Sequence, residues 1–385
     1  MDLVQRYYFD HNATTPVSAE VLEALVPCLA EVYGNASSIH HFGQVAKQRL
    51  ERARRQTAAL LSARPQDIVF VSGGTEADNL ALLGATRPCA GKHVITTAIE
   101  HPAVLSACAQ IEREGGEVTC IPVGSSGVVD PDAIRAALRG QTALISVMHV
   151  NNELGTIQPV PEIAAIARAA GVVVHSDGVQ AAGRVDVNVE RLGVDLYSLS
   201  GHKIGATKGV GVLYVRKGTH LSSILFGGKH ERERRPGTEN VPGAVAMGRA
   251  AELAGQDAPD LASLRDRLET GILERVPSVY VNGDRARRAP NTTNLRFDYI
   301  EGEAMVIALD LRGFAVSSGA ACSSGSIEPS HVLTAIGLRR DQAKSSIRFS
   351  LGRGNTREQV DLLIDAVVDA AAHLRRISVE TPAHA

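Results

Sequence analysis

The strongest constraint on this chain is an alternation that runs through its middle. Short β-branched runs, "DIVFVSGG", "KHVITTAIE", "GEVTCIPVG", "TALISVMHV" and "GVVVHSDG", carry Gly, Pro, Asp or Asn at their edges and read as strands. Between them lie amphipathic patterns such as "TEADNLALLGAT", "PAVLSACAQIEREGG", "DPDAIRAALRG" and "PVPEIAAIARAAG". A strand that is apolar on both faces must be covered on both faces. Alternating such strands with helices therefore predicts an α/β fold with a mostly parallel sheet. "DLYSLSGHK" and "KGVGVLYVRKG" add two strands close enough to form an antiparallel pair, expected at the sheet edge.

Beyond about residue 241 the texture changes. Helical patterns cover roughly 241–255, 261–276, 302–312 and 356–376, with strands near 279–282, 292–298 and 345–351, an α+β segment. The dip at "GQDAPD" marks a domain boundary near residue 255. No internal repeat or low-complexity stretch interrupts the chain.

Composition narrows the partners. With 385 residues, 44% of them apolar and a formal charge of −2, the chain can bury a large core and has no basic run to attract nucleic acid or anionic membrane. No apolar stretch approaches the ~20 residues a membrane span needs. "MDLVQRYYFDHNATT" lacks the basic-then-apolar order of an export signal, so a cytoplasmic location is expected. Five cysteines at 28, 89, 108, 120 and 322 form no C-x-x-C pair, which disfavours a disulfide framework or a zinc site. Cys28 and Cys108 in helical patterns and Cys120 in a strand are expected to pack. Cys322 is the exception, set among small polar residues in "SSGAACSSGSIEPSH" (317–331).

In an open α/β sheet the ligand sits at the carboxyl ends of the strands. Five polar motifs stand there: "SGGTE", "EHPA", "NNELGT", "HSDGVQ" and "SLSGHK". Gly74 and Thr75 fall where a strand turns into a helix, an arrangement suited to an anion such as phosphate and, taken alone, equally to a plain helix cap; the Walker and dinucleotide fingerprints are both absent. Lys203 ends an apolar strand: either it leaves the strand for solvent, or desolvation lowers its pKa and makes the amine nucleophilic enough to form a Schiff base. Asp177 ends another, placed to keep a pyridinium nitrogen protonated. His101 brings a flat ring that stacks or moves protons, or simply starts a helix. Together these groups specify pyridoxal 5′-phosphate better than any of them alone.

At this point the sequence resembles the class V aminotransferase-like enzymes and, within them, the cysteine desulfurases of the NifS and IscS type. The likeness runs nearly end to end, through "YFDHNATTP", "YGNASSIHHFG", "SGGTEADN", "EHPAV", "NNELGTIQPV", "HSDGVQAAGR", "SLSGHKIGATKGVGVLYVR", "RRPGTEN", "PNTTNLRF", "SSGAACSSGSIEPSHVL" and "IRFSLGR". It implies the fold of aspartate aminotransferase, fold type I, with a seven-stranded sheet. The large cofactor domain would span 15–255, and 1–14 with 256–385 would form a small domain carrying the 317–331 loop.

Residue by residue, the resemblance implies that Lys203 holds the cofactor as an internal aldimine and later moves protons. Asp177 would pair with the ring nitrogen, Gln180 with the ring hydroxyl, and His101 would stack on the ring. Gly74, Thr75, Ser200 and His202 would hold the phosphate, with Thr238 contributed by the second subunit of a homodimer. Asn152 would lie beside cofactor and substrate, and Arg348 would take the carboxylate of L-cysteine in a bidentate pair.

Cys322 would attack the substrate sulfur, leaving alanine and an enzyme persulfide, after deprotonation by a site group for which His101 is the candidate. The long serine-rich loop resembles the group that delivers sulfur directly to an iron–sulfur scaffold protein, and Cys322 could serve as a transient iron–sulfur ligand shared with that partner. Thiolated tRNA is another destination for the sulfur. A selenocysteine lyase on the same fold, or a non-catalytic assembly subunit, are the alternatives. Cys322 argues against the first, and the intact set of Lys203, Asp177, His101 and Arg348 against the second. Departures from the family pattern, among them Gly178 where alanine is common and Ala206 where proline is usual, touch no side chain given a role.

Overall fold

The computed structural model describes residues 5–89, 92–256, 260–318 and 328–377. Strand β1 (Tyr7–Tyr8) precedes two helices, α1 (Ala19–Ala30) and α2 (His41–Leu60). The alternating region follows as β2 (Ile68–Val71), α3 (Gly74–Thr86), β3 (His93–Thr97), α4 (Pro102–Arg113), β4 (Glu117–Ile121), α5 (Pro131–Ala137), β5 (Thr142–Ser146), α6 (Val160–Ala169), β6 (Val173–Asp177), α7 (Val189–Leu192), β7 (Leu196–Ser200) and β8 (Gly211–Val215). The remainder is α8 (Val241–Ala254), α9 (Leu261–Arg275), β9 (Val279–Val281), β10 (Thr292–Phe297), α10 (Gly302–Asp310), β11 (Phe314–Ala315), α11 (His331–Ala335), α12 (Arg340–Lys344), β12 (Ser346–Ser350) and α13 (Arg357–Ile377).

Strands β2 to β8 form one seven-stranded sheet in the order β2-β8-β7-β6-β5-β3-β4. Only β8 runs against the rest, pairing antiparallel with β7 on one side and β2 on the other. The expected antiparallel pair is therefore present, but it does not form the edge. β2 returns from far earlier in the chain to cover β8, a long-range pairing that local pattern cannot reveal. The backbone of edge strand β2 is itself occupied by side chains: Arg54 Nη1 donates to the Ile68 carbonyl (2.9 Å) and the Glu231 carboxylate accepts from the Phe70 N–H (3.0 Å).

Side-chain alternation along these strands feeds two layers. Val69, Val71, Val94, Leu144, Leu196 and Leu213 pack under α3 and α4, while Ile68, Phe70, Ile95, Ile145, Val174, Leu199 and Val212 face the opposite layer with α2, α6 and α8. Strand β4, the other edge, is half open to solvent, and its Cys120 is exposed. Cys120 thus does not pack as expected, whereas Cys28 and Cys108 are buried. β4 has a neighbouring strand on one side only, so apolar character alone did not predict burial.

A separate apolar cluster gathers β10, β12, α9, α10 and α13 and takes in Phe9 from the N-terminal segment. β10 lies between β12 and β9 in a three-stranded antiparallel sheet, and β1 pairs in parallel with β11. Asp10 bridges to Ser350, which brings the residues just after β1 across to the rim of the large sheet. No helix among the described residues is long and apolar enough to cross a membrane.

Candidate active site

One cavity of about 520 Å³ opens at the carboxyl ends of the large sheet, and residues from all five polar motifs line it. Gly74 and Thr75 follow β2, His101 follows β3, Asn152 follows β5, Asp177 and Gln180 close β6, and Ser200, His202 and Lys203 follow β7. Arg348 of β12 enters from the smaller sheet. Of the sequence-nominated residues, Thr238 is exposed and lies outside this cavity within its own chain, and Cys322 lies outside the described residues.

Helix α3 begins directly behind Gly73, whose backbone is extended, and no side chain caps it. The first N–H groups of the helix, from Gly74 onward, therefore have no intrahelical acceptor and face the cavity rim. A methyl at Gly74 would come within 2.8 Å of Val179, so only glycine leaves this approach open. Ser200 and His202 stand beside it at the end of β7. The His202 Nδ1 hydrogen-bonds Thr14 (3.1 Å), and burial, then Lys203 and Lys208, push its pKa down to about 4. A neutral imidazole, a hydroxyl and a helix N-terminus form a donor set fitted to a phosphate.

Lys203 sits in the single turn that follows β7. Its Nζ donates to the carbonyls of Asn12 and Ala13, the latter at 2.8 Å. Burial, followed by the cations Arg184 and Arg348, lowers the amine to about 7. Nearly half of such a group is unprotonated at neutral pH, which is the state a nucleophilic amine needs.

Asp177 is only 5% exposed, and its Oδ1 accepts the Val179 N–H at 2.9 Å. Burial raises its pKa, with His101 and Lys203 pulling it back down. Asp78 of α3 is buried next to it at 1% exposure; burial first, then the Asp177 charge, raises it well above the carboxylate range. Asp78 Oδ1 has no hydrogen-bond partner among the described residues, and the nearest cationic candidate, His175 Nε2 at 3.5 Å, is held neutral by burial. Two carboxyls crowded into this low-dielectric corner want a positive partner. A protonated ring nitrogen supplies one.

His101 is the N-cap of α4, its Nδ1 accepting from the Ala103 N–H at 3.1 Å, so the helix-start reading holds, and the residue also lines the cavity. Protein packed around the ring, then Lys203 and His331, lowers its pKa against the pull of Asp177. Gln180 donates through Nε2 to the Asn12 carbonyl (2.9 Å) and accepts from Arg184. Asn152 meets Arg348 through its backbone: Arg348 Nη1 donates to the Asn152 carbonyl at 3.1 Å. Arg348 Nη2 donates to Asp10 Oδ1 at 2.6 Å.

Gly178, the departure from the family pattern, has a local cause. A Cβ there would come within 2.0 Å of the Tyr197 ring, which is fully buried and hydrogen-bonded through its hydroxyl to His149 (2.8 Å).

Sequence reasoning missed several groups. Asp10, Asn12 and Ala13 organise Lys203 and Arg348, yet "DHNATT" was read only as a family signature. Asp78 sits one helical turn beyond the phosphate-type motif. Glu100 and Glu153 are buried carboxyls, raised by burial to about 8 and about 7. Glu153 accepts a hydrogen bond from Ser330 (2.5 Å), and the Glu100 carbonyl contacts His331 (2.9 Å), so both hold the chain that leaves the cysteine loop. Charged residues placed immediately beside the nominated motifs were the available signal. Among the described residues no group of three or more His, Cys, Asp or Glu could hold a metal ion, and the iron–sulfur role considered for Cys322 falls outside them.

Comparison with known proteins adds an independent line. The family model described as Aminotransferase class-V matches residues 7–363. A protein from Methanosarcina thermophila named cysteine desulfurase IscS is 47% identical over 382 residues, covering 97% of this chain and 94% of that one. Among solved structures, one named NIFS-like protein superposes with a TM-score of 0.90 at 35% identity, covering 96% of this chain and all (100%) of the other. Another, SspA in complex with cysteine, gives a TM-score of 0.82 at 34% identity over 91% of this chain and 99% of its own.

Proposed function

The chain belongs to the class-V aminotransferase family, and from that premise we propose which of its residues carry the reaction and where the sulfur goes. The enzyme is a pyridoxal phosphate-dependent cysteine desulfurase that converts L-cysteine to L-alanine. The observation that carries the residue assignment is the single cavity in which Lys203, Asp177, the α3 N-terminus and Arg348 converge.

The cofactor, when bound, supplies an electron sink for the substrate carbon skeleton. Lys203 holds it covalently through Nζ and, once released by substrate, is the amine placed to carry a proton to and from the substrate carbon. Asp177 keeps the ring nitrogen protonated, and that charge relieves the carboxyl crowding with Asp78. Gly74, Thr75, Ser200 and His202 take the phosphate, Gln180 the ring hydroxyl, and His101 the ring face. Arg348, with Asn152 beside it, takes the substrate carboxylate.

Cys322 acts as nucleophile toward the substrate thiol. As thiolate it forms a bond to the substrate sulfur, the carbon–sulfur bond breaks, and its electron pair stays with carbon. One proton then completes the alanine methyl group, and the protein keeps a persulfide. His101 is the base assigned to the Cys322 thiol: its lowered pKa keeps the imidazole neutral, and to accept the proton its Nδ1 must give up the Ala103 N–H or its ring must change tautomer.

Two copies form the working unit. Thr238 lies outside its own chain's cavity, and Leu22, Val26, Leu29, Tyr33, Ile39 and Phe42 leave a broad apolar face of α1 and α2 exposed, with the Tyr33 and Phe42 rings stacked at 5.4 Å. The persulfide passes to an iron–sulfur scaffold protein in the cytoplasm.

The test is purified protein given L-cysteine, with alanine and sulfide measured. Wild-type protein should release both. Lys203→Ala should neither hold the cofactor covalently nor turn over. Cys322→Ala should bind cofactor but leave the substrate sulfur in place; desulfuration at the wild-type rate would sink the persulfide assignment.

A further inference from the structure

Arg348 is not alone in the cavity. Its guanidinium carries five N–H bonds, and the described structure commits two of them: Nη2 to Asp10 Oδ1 at 2.6 Å and Nη1 to the Asn152 carbonyl at 3.1 Å. Among the described residues Arg348 Nε is buried without a hydrogen-bond partner. Each terminal nitrogen keeps a second hydrogen that can be offered to a carboxylate. A substrate carboxylate bound there sits beside Asp10 rather than replacing it.

That placement creates a conflict for one class of ligand and not for another. A simple carboxylate on Arg348 brings a second negative charge against Asp10 in a partly buried site. An α-amino acid carries its own positive group two bonds from its carboxylate. Asp10 uses Oδ1 for Arg348, which leaves Oδ2 for an ammonium donor. The carbonyls of Asn12 and Ala13, two and three residues after Asp10, hold Lys203 Nζ, so the same turn of chain carries Asp10 and meets the lysine amine. Asp10, Arg348, Asn152 and Lys203 all line this one cavity.

We propose that Asp10 is a specificity-determining residue that takes the α-ammonium of the incoming L-cysteine while Arg348 takes its carboxylate, so that the pair selects zwitterionic amino acids over thiol carboxylates. The proposal rests on the desulfurase reading, and its test is arranged to fail separately from it.

The holoenzyme is first reduced with borohydride, which fixes the cofactor on Lys203 and removes exchange chemistry from the readout. Mass spectrometry of the Lys203 peptide checks the cofactor reading by itself; absence of the adduct would overturn that reading. Binding of L-cysteine and of 3-mercaptopropionate, which lacks the amino group, is then measured by calorimetry. Wild-type protein should favour L-cysteine by about tenfold or more, the worth of one charge-assisted hydrogen bond. Asp10→Asn should weaken L-cysteine and tighten 3-mercaptopropionate, collapsing the preference, while Asp10→Glu should retain it. Equal loss of both ligands in Asp10→Asn would mean that Asp10 only orients Arg348, and the proposal fails. It fails too if the wild-type protein shows no preference, a result that does not depend on any variant folding.

Discussion

The molecule buries carboxylates in two contrasting ways. Away from the cavity, Glu269 of α9 is almost fully buried, yet it accepts from Arg288 (2.5 Å), Arg285 (2.9 Å) and Thr293 (2.7 Å), and its pKa is lowered: burial works against this, and the Arg288 and Thr293 hydrogen bonds outweigh it. The Arg54–Glu231 pair at the edge of β2 is built alike, with two bonds of 2.7 and 2.8 Å between side chains that are both buried. Asp78 and Asp177 at the cavity, and Glu100 and Glu153 behind it, are buried without an ion-pair partner this close, and burial pushes all four upward. The first kind of site is closed by the chain itself. The second is not, and for Asp177 and Asp78 the proposed pyridinium would be the positive partner.

The contrast can be broken most sharply at Lys203. Lys203→Ala should abolish turnover while leaving the thermal midpoint close to that of cofactor-free wild-type protein, because no ion pair is lost; a large drop in that midpoint would place Lys203 among the structural groups instead. Asp177→Asn comes next. Turnover should fall by about a hundredfold or more, the scale of losing a preorganised charge at the reacting group, yet the cofactor-free variant should be as stable as wild type or more so.

Glu269→Gln should do the reverse. Leaving Arg288 only the longer contact to half-exposed Asp266 (3.5 Å) costs up to about 3–5 kcal/mol, read as a lower denaturation midpoint, with turnover per folded molecule unchanged. A Glu269 variant as stable as wild type would erase the distinction drawn here.

Smaller effects sharpen the comparison. The Lys203 amine is charged below about 7 and neutral above it. Capture of pyridoxal phosphate by cofactor-free protein, followed by absorbance, should therefore accelerate as pH rises through that value and level off, instead of climbing toward the ~10.4 of an ordinary lysine. Glu153 has the opposite sign: its folded pKa of about 7 lies above the ordinary carboxyl range. Its contribution to stability is full below that range and is lost as pH rises through about 7. Glu153→Gln should flatten that segment of the thermal-midpoint curve by a few degrees, and an unchanged curve would mean that Glu153 is paired after all.

Much of this was legible from residues. The strands of the large sheet announced themselves because burial on both faces demands unbroken β-branched runs, and their polar ends, from "SGGTE" to "SLSGHK", lie together because parallel strands point their carboxyl ends the same way. The edge position of β2 was not legible, since it depends on a partner more than a hundred residues later. Cys120 was misread as packed because edge exposure is a property of the assembled sheet. Asp10 escaped for a related reason: nothing local distinguishes it from a loop aspartate until Arg348, 338 residues away, comes within 2.6 Å.

What the sequence determined by itself was the fold class and the chemical kit: a lysine and an aspartate at strand ends, a helix start suited to phosphate, and a cysteine set apart in small polar chain. These follow from patterning, which acts over a few residues. The tertiary structure alone decided which charges are compensated and which are left waiting, because desolvation and Coulomb interaction depend on distances between segments remote in the chain. Glu269 and Asp177 are both buried acids, and only the folded surroundings make one a paired ion with a lowered pKa and leave the other raised at the cavity wall.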